Sequence, residues 1–188
     1  VPNPAFEKIA RDGLPEGWTL VDYGSKPGNA NAEWAAVSGE GKVHSGEHAV
    51  RVITRADADT SLHADVPVKP NTDYKLSGWV KAHGIHGKVS INDHIGRAET
   101  DKITRESDWV EVETIFNSGQ KTTASINLLH VAKGDGYWDD VKLVELTSAD
   151  EAIVAGDAKR GEQVFYKHQV ACVLCHSLKG QGSTVGPA

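Results

Sequence analysis

From its start to about residue 146 the chain consists of short runs in which apolar and polar residues alternate, each cut off by Gly, Pro, Asn or Asp. A period of two is the pattern of a strand with one buried face, and it leaves almost no room for the helical repeat. His48 to Thr54 sets Val50 and Val52 against Arg51 and Ile53, and Tyr74 to Lys81 places Tyr74, Leu76 and Val80 among small and polar residues. Further runs are Gly87 to Asn92, Trp109 to Phe116, Thr123 to Val131 and Tyr137 to Leu146. The clusters Lys69-Pro70-Asn71-Thr72-Asp73 and Lys133-Gly134-Asp135-Gly136 read as turns between strands. The expected fold is mainly β, a sandwich of two sheets.

After Leu146 the texture changes, as Ala, Glu, Lys and Gln replace β-branched residues. Ser148 with Glu151 forms a capping box, predicting a short helix over Ala149 to Val154. Gly156 stops it, and Asp157 caps a second helix running to about Val170, with Gly161 and Phe165 on one face. The sequence therefore predicts a β-sandwich domain over 1–146, a linker over 147–155 and a short helical segment over 156–188.

The two cysteines both fall in that last segment, as Cys172-Val173-Leu174-Cys175-His176. C-x-x-C-H is the attachment pattern for c-type haem: two thiols one turn apart reach the two vinyl groups, and the next imidazole turns to the iron. A redox dithiol and a zinc knuckle are the rival readings. The first needs a βαβ context, and the second needs two more ligands at matching spacing. Gly161-Glu162-Gln163-Val164-Phe165, then Cys172 to His176, then Gly186-Pro187 occur in the order of the small bacterial cytochrome c domain, which this segment resembles. The resemblance implies haem c tethered by Cys172 and Cys175, His176 as proximal ligand of the haem iron, and the Pro187 carbonyl orienting His176. The family continues into a loop with a distal Met, whereas this chain stops at Ala188 and contains no Met. The expectation is a truncated cytochrome segment whose pocket is completed by further chain or by a partner protein. His168 is the local candidate for a distal ligand, but it lies on the segment leading into the attachment turn, and a solvated imidazole is the expected reading.

Acidic side chains outnumber basic ones by 26 to 20, a formal charge of -6, which disfavours nucleic acid as a partner. No apolar stretch approaches the roughly 18 residues of a membrane helix. There is no phosphate-cradling Gly loop, no G-x-S-x-G elbow and no H-E-x-x-H, so hydrolase activity is not expected. The cytochrome resemblance implies an exported chain, periplasmic or extracellular, that passes single electrons to a redox partner. The alternatives are a carbohydrate-binding or adhesive module with a truncated cytochrome segment, and the non-catalytic part of a larger haem-containing dehydrogenase.

The first 146 residues carry a second resemblance. Asn3-Pro4-Ala5-Phe6-Glu7, Leu14-Pro15-Glu16-Gly17-Trp18, Ser45-Gly46-Glu47-His48, Tyr74 to Lys81, Asp108-Trp109-Val110 and Tyr137-Trp138-Asp139-Asp140-Val141 occur in the order of the jelly-roll carbohydrate-binding modules of families 4 and 9. That resemblance implies a structural calcium held by Glu7 and Asp139, with Asp140 second. Strand alternation would bury Asp139 on the face of Val141 and Leu143, where amide donors are the alternative to a cation. A glycan would need aromatic faces at a groove or rim. Trp18, Trp79, Trp109 and Trp138 match packing positions of the family, which leaves Trp34 and Tyr23, in a Gly/Asn/Ala-rich stretch, as the expected sugar platform. His83, His86 and His94 sit around a turn and are expected at the surface rather than on a metal, as are His44, His48, His63 and His130.

Overall fold

The computed structural model describes residues 1–93 and 98–147, and the backbone of 177–178 and 181–182. Eight strands come first: β1 (Thr19–Asp22), β2 (Glu33–Val37), β3 (Ala49–Thr54), β4 (Thr60–Pro67), β5 (Asp73–Asp93), β6 (Ala98–Glu99), β7 (Ser107–Asn117) and β8 (Thr123–Glu145). Helical structure among the described residues is confined to the single turn Asn29–Asn31. No helix there is long and apolar enough to cross a membrane. Contacts divide the chain into Val1–Glu145 and Leu146–Ala188. In the second unit Ser177–Leu178 (β9) pairs antiparallel with Gln181–Gly182 (β10). The helices expected over Ala149 to Val154 and Asp157 to Val170 lie outside the described residues, as does the C-x-x-C-H segment.

Two strands are longer than the sequence pattern predicts. Tyr74 to Lys81 and Gly87 to Asn92 are two halves of the 21-residue β5, and Thr123 to Val131 and Tyr137 to Leu146 fall along the 23-residue β8, which ends at Glu145. The glycines expected to end strands bend them instead. Gly87 has φ 131° and Gly134 φ 120°, backbone that L side chains rarely adopt. A Cβ at these positions would lie 2.3 Å from the Val131 carbonyl oxygen and 2.4 Å from that of Gly84. The β5–β8 register slips between His83 and His86, so both strands turn the corner together.

Bending divides one continuous sheet into two layers. In the first, β8 from 134 to 145 lies between β3 and the first half of β5, with β2 and β7 outside them. In the second, β8 from 123 to 132 lies between β4 and the second half of β5, with β1 and β6 outside. The layers meet through Val50, Val52, Leu76, Val80, Val112, Phe116 and Trp138 from one side and Leu62, Val89, Ile91, Ile126 and Leu128 from the other. Polar bonds cross the same interior: Trp138 Nε1 donates to the Ser90 carbonyl at 3.1 Å, and Trp34 Nε1 to Thr60 Oγ1 at 3.2 Å. The first unit is thus mainly β, a curled sheet whose two layers share one core.

Candidate functional site

Three polar regions lie outside the core. The first is a clamp on the chain between β2 and β3. Asp139 is wholly buried, and its Oδ2 accepts the amides of His44 at 2.9 Å and Ser45 at 3.1 Å, while Oδ1 accepts that of Asp140 at 2.7 Å. Burial pushes the Asp139 carboxyl up, and the three amides pull against it. Asp140 takes His44 Nδ1 and Ser45 Oγ, each at 2.8 Å. Glu7 Oε1 accepts the amides of Glu47 at 2.9 Å and His48 at 3.3 Å; these bonds, the Glu47 amide foremost, hold its carboxyl below the usual range.

Asp139 is buried as expected, but not on the expected face. Asp139 pairs with Trp79 and Lys142 with Ser77, so Asp140, at φ 50°, sits in a bulge that breaks the alternation. Val141 points into the core, and Asp139 points outward beneath His44. The family resemblance implies calcium at this place. Glu7, Glu47 and His48 offer ligand atoms within 4.8 Å of one another, but Asp139 and Asp140 are not in that group. Calcium requires about six to eight oxygens, whereas the oxygens of Asp139 are taken by amide hydrogens. The donor set fits a hydrogen-bonded clamp and does not fit a calcium cage joining Glu7 to Asp139.

The second region is the outer face of the first layer. Trp79 and Trp109, expected as packing, are half-exposed here, while Trp18 and Trp138 are buried. The His44 ring stacks on Trp79 at 3.8 Å and 14°. Trp109 meets His44 and Tyr137 edge-on, and Arg51 lies over Tyr137 while pairing with Asp135. The clamped segment therefore covers these rings, and the cluster serves as a small outer core.

The third region is the outer face of the second layer. Its side chains form rows across the strands: Val21, Ser61, Leu129 and Ser90, then Thr19, His63, Asn127, Asn92 and Glu99. Tyr23, just after β1, lies along this face. Its amide donates to the Asp59 carbonyl at 2.7 Å, and its hydroxyl reaches Asn127 Oδ1 at 3.0 Å and Ser61 Oγ at 3.3 Å. Ser61 also donates to Asn127 Oδ1, so two hydroxyls converge on one wholly buried amide. Tyr23 as a residue is half-buried. Around it, Lys88 and Ser90 bond Glu99, and against the upward push of burial these partners and Lys102 hold Glu99 low.

Of the two residues expected as a sugar platform, Tyr23 lies just after β1 on this outer face. Trp34 lies in β2 rather than a loop, half-buried against Trp138 with ring centroids 5.3 Å apart. It pairs with Val52, whose side chain is in the core, and so its ring points inward. Among the histidines, His83 pairs with Glu106, His48 with Glu7 and His63 with Asp65 near the surface. His130 departs from expectation, being wholly buried with Nε2 2.9 Å from Thr54 Oγ1. His94, His168, Cys172, Cys175, His176 and Pro187 lie outside the described residues. Asn127 and Ser61 escaped the sequence reading because a polar residue on an alternating strand looks the same whether it is solvated or covered by a ring from another segment.

A family model described as a carbohydrate binding domain, of the 4/9 group, matches residues 3–135. The chain belongs to this family. The fold of the carbohydrate-binding domain is shared with TmCBM61 in complex with β-1,4-galactotriose, at 20% identity over 78% of this chain and 97% of that one, with a TM-score of 0.52. It is also shared with the CBM22-1 xylan-binding domain from Paenibacillus barcinonensis Xyn10C, at 16% identity, 77% and 92% coverage and a TM-score of 0.50. A CBM4 structure matches at 14% identity, 78% and 99% coverage and a TM-score of 0.52. No curated protein matches the chain.

Proposed function

We propose that the carbohydrate-binding domain takes a β-linked glycan across the outer face of its second layer, with a pyranose ring stacked on Tyr23. The observation that carries this reading is the anchoring of Tyr23: its hydroxyl is pinned to Asn127 and Ser61 on the outer face, and the residue is half-buried there. An aromatic fixed before the ligand arrives loses little rotamer freedom on binding, and its face suits the C–H surface of a sugar. His63, Asn92, Ser125 and Glu99 stand on the same sheet face and offer donors and acceptors for hydroxyls. Glycan binding and the family together favour an extracellular or periplasmic setting.

Affinity electrophoresis in gels holding β-1,4-linked galactan, xylan or cellulose derivatives tests the site. Tyr23→Ala should weaken retardation by about thirtyfold, the scale of one aromatic anchor, and Trp79→Ala should leave it unchanged. Retardation that survives Tyr23→Ala would overturn the reading.

A second reading concerns residues 156–188. We propose that Cys172 and Cys175 tether haem c with His176 on the iron, making the segment an electron carrier to a redox partner. Its support is the C-x-x-C-H spacing together with Gly161, Phe165 and Gly186-Pro187 in order. Chain matured in a periplasm should show a Soret band and carry the mass of a porphyrin; a spectrum blank above the aromatic region would end this reading.

A further inference from the structure

On the outer face of the second layer, Ser125 of β8 stands directly across from Asp65 of β4, and His63 precedes Asp65 by one alternation on the same side. Ala64, Ala124 and Ile126 turn into the core between them, so these three side chains point outward. Ser125 and His63 are half-buried, and Asp65 is exposed. Ser125 Oγ lies 3.1 Å from His63 Nδ1, and His63 Nε2 lies 3.2 Å from Asp65 Oδ1. One hydrogen-bond chain thus runs from a hydroxyl through an imidazole to a carboxylate.

The direction of that chain follows from its last member, because an ionised carboxylate only accepts. The neutral imidazole of His63 therefore carries its proton on Nε2, Nδ1 presents a lone pair, and the Ser125 hydroxyl donates to it. A serine whose proton is already aimed at a base, with that base held by an acid, is an activated nucleophile. The backbone of Ser125 is pinned on both sides: its amide donates to Asp93 Oδ1 at 2.9 Å, and its carbonyl accepts Asn127 Nδ2 at 2.9 Å. Asn92 of β5 pairs with Asn127 and so lies across β8 from His63. Its Oδ1 is buried without a partner, and its side chain makes no hydrogen bond among the described residues. An amide donor is thereby left uncommitted on the side of Ser125 opposite the base.

We propose that Ser125, His63 and Asp65 hydrolyse short acyl esters. Ser125 Oγ bonds to the acyl carbon while its proton passes to His63 Nδ1, and Asn92 Nδ2 donates to the carbonyl oxygen as charge builds there. The bond from the acyl carbon to the alcohol oxygen then breaks, and the alcohol leaves with the proton held by His63. Water attacks the acyl-serine and gives a proton to His63. The bond from Ser125 Oγ to the acyl carbon breaks, Ser125 recovers that proton and the carboxylic acid departs. Ester and water become acid and alcohol, and no other reactant is consumed. Asp65 touches no reacting atom; it is a positioning residue that fixes the tautomer of His63 and steadies its imidazolium. The activity stands apart from the glycan reading, since a small ester needs only these side chains. No sequence motif marks it, because nucleophile and base lie on different strands and only the β4–β8 register joins them.

Hydrolysis of p-nitrophenyl acetate by the full chain tests the proposal. Ser125→Ala and His63→Gln should each lower the rate by about a hundredfold while the melting temperature holds. Asp65→Asn should lower kcat with KM unchanged, and Asp65→Glu should restore part of the loss, a split that a merely structural role would not produce. Diisopropyl fluorophosphate, which phosphorylates an activated serine with loss of fluoride, reports on the unaltered chain without any substitution. Peptide mass mapping should find its phosphoryl group on Ser125, and the label should be absent from His63→Gln. Hydrolysis no faster than in buffer, hydrolysis that survives Ser125→Ala, or a chain left unlabelled at Ser125 would each overturn the proposal.

Discussion

His130 shows how much a single side chain inside this sandwich depends on its protonation state. Its Nε2 meets Thr54 Oγ1, which also bonds the carbonyls of Ala132 and Gly134, and Nδ1 is buried without a partner. Burial pulls its pKa down to about 4 from 6.5. The unfolded chain therefore binds more protons between those values, and the native state loses stability as pH falls through that window. The full effect is about 3 kcal/mol. Urea denaturation from pH 7 to pH 4 should show that slope, and His130→Gln should flatten it; an equal slope in both would place the acid sensitivity elsewhere. Nothing in Leu129-His130-Val131 announces this burial. His130 was expected at the surface; the pairing of β8 with β4 and β5 puts it on the inner face with Leu128 and Ile126. Trp138 and Trp18 were legible because they match packing positions of the family that the chain resembles, and large rings are seldom left in solvent. Trp79 and Trp109 were not, since their cover comes from the remote residue His44.

At the scale of elements, the strands were largely legible and their continuity was not. Gly134 carries a turn signal in the sequence, yet the β5 partner bends with it and keeps the ladder paired, so the ladder turns a corner instead of ending. A bulge is equally silent: Asp139-Asp140 reads as plain alternation until Trp79 and Ser77 fix the register on either side. The bulge places Asp139 under the His44–Ser45 segment, which is what makes that segment an ordered cover for the rings of the first layer. Asp139→Ala strips two inter-segment amides of their acceptor and should cost about 2 kcal/mol. It should also open the chain between Ser38 and His44 to limited proteolysis at rates well above those of the unaltered protein. Resistance unchanged at that segment would mean that Glu7 and Lys81 suffice to hold it. Lys81 reaches the Gly41 carbonyl at 3.1 Å, so Lys81→Ala in the Asp139→Ala background separates the contributions.

For the whole molecule, the bent strands give two layers with unlike outer faces. One is roofed by the clamped segment, with its aromatics stacked among themselves. The other offers an anchored tyrosine and rows of polar side chains. Family membership was readable from scattered motifs because they mark packing positions, which the fold requires. The proposed binding face was only half readable, through Tyr23, because its other members come from several segments joined by strand order. The central claim, that glycan lies on the Tyr23 face and not on the Trp79 face, is tested most directly by amide and indole NMR shifts during titration with a bound oligosaccharide. The account predicts that the Asn127 side-chain amide and the backbones of Tyr23, Ser61 and His63 move while the Trp79 and Trp109 indoles stay still. Indole shifts with a silent Asn127 would contradict it.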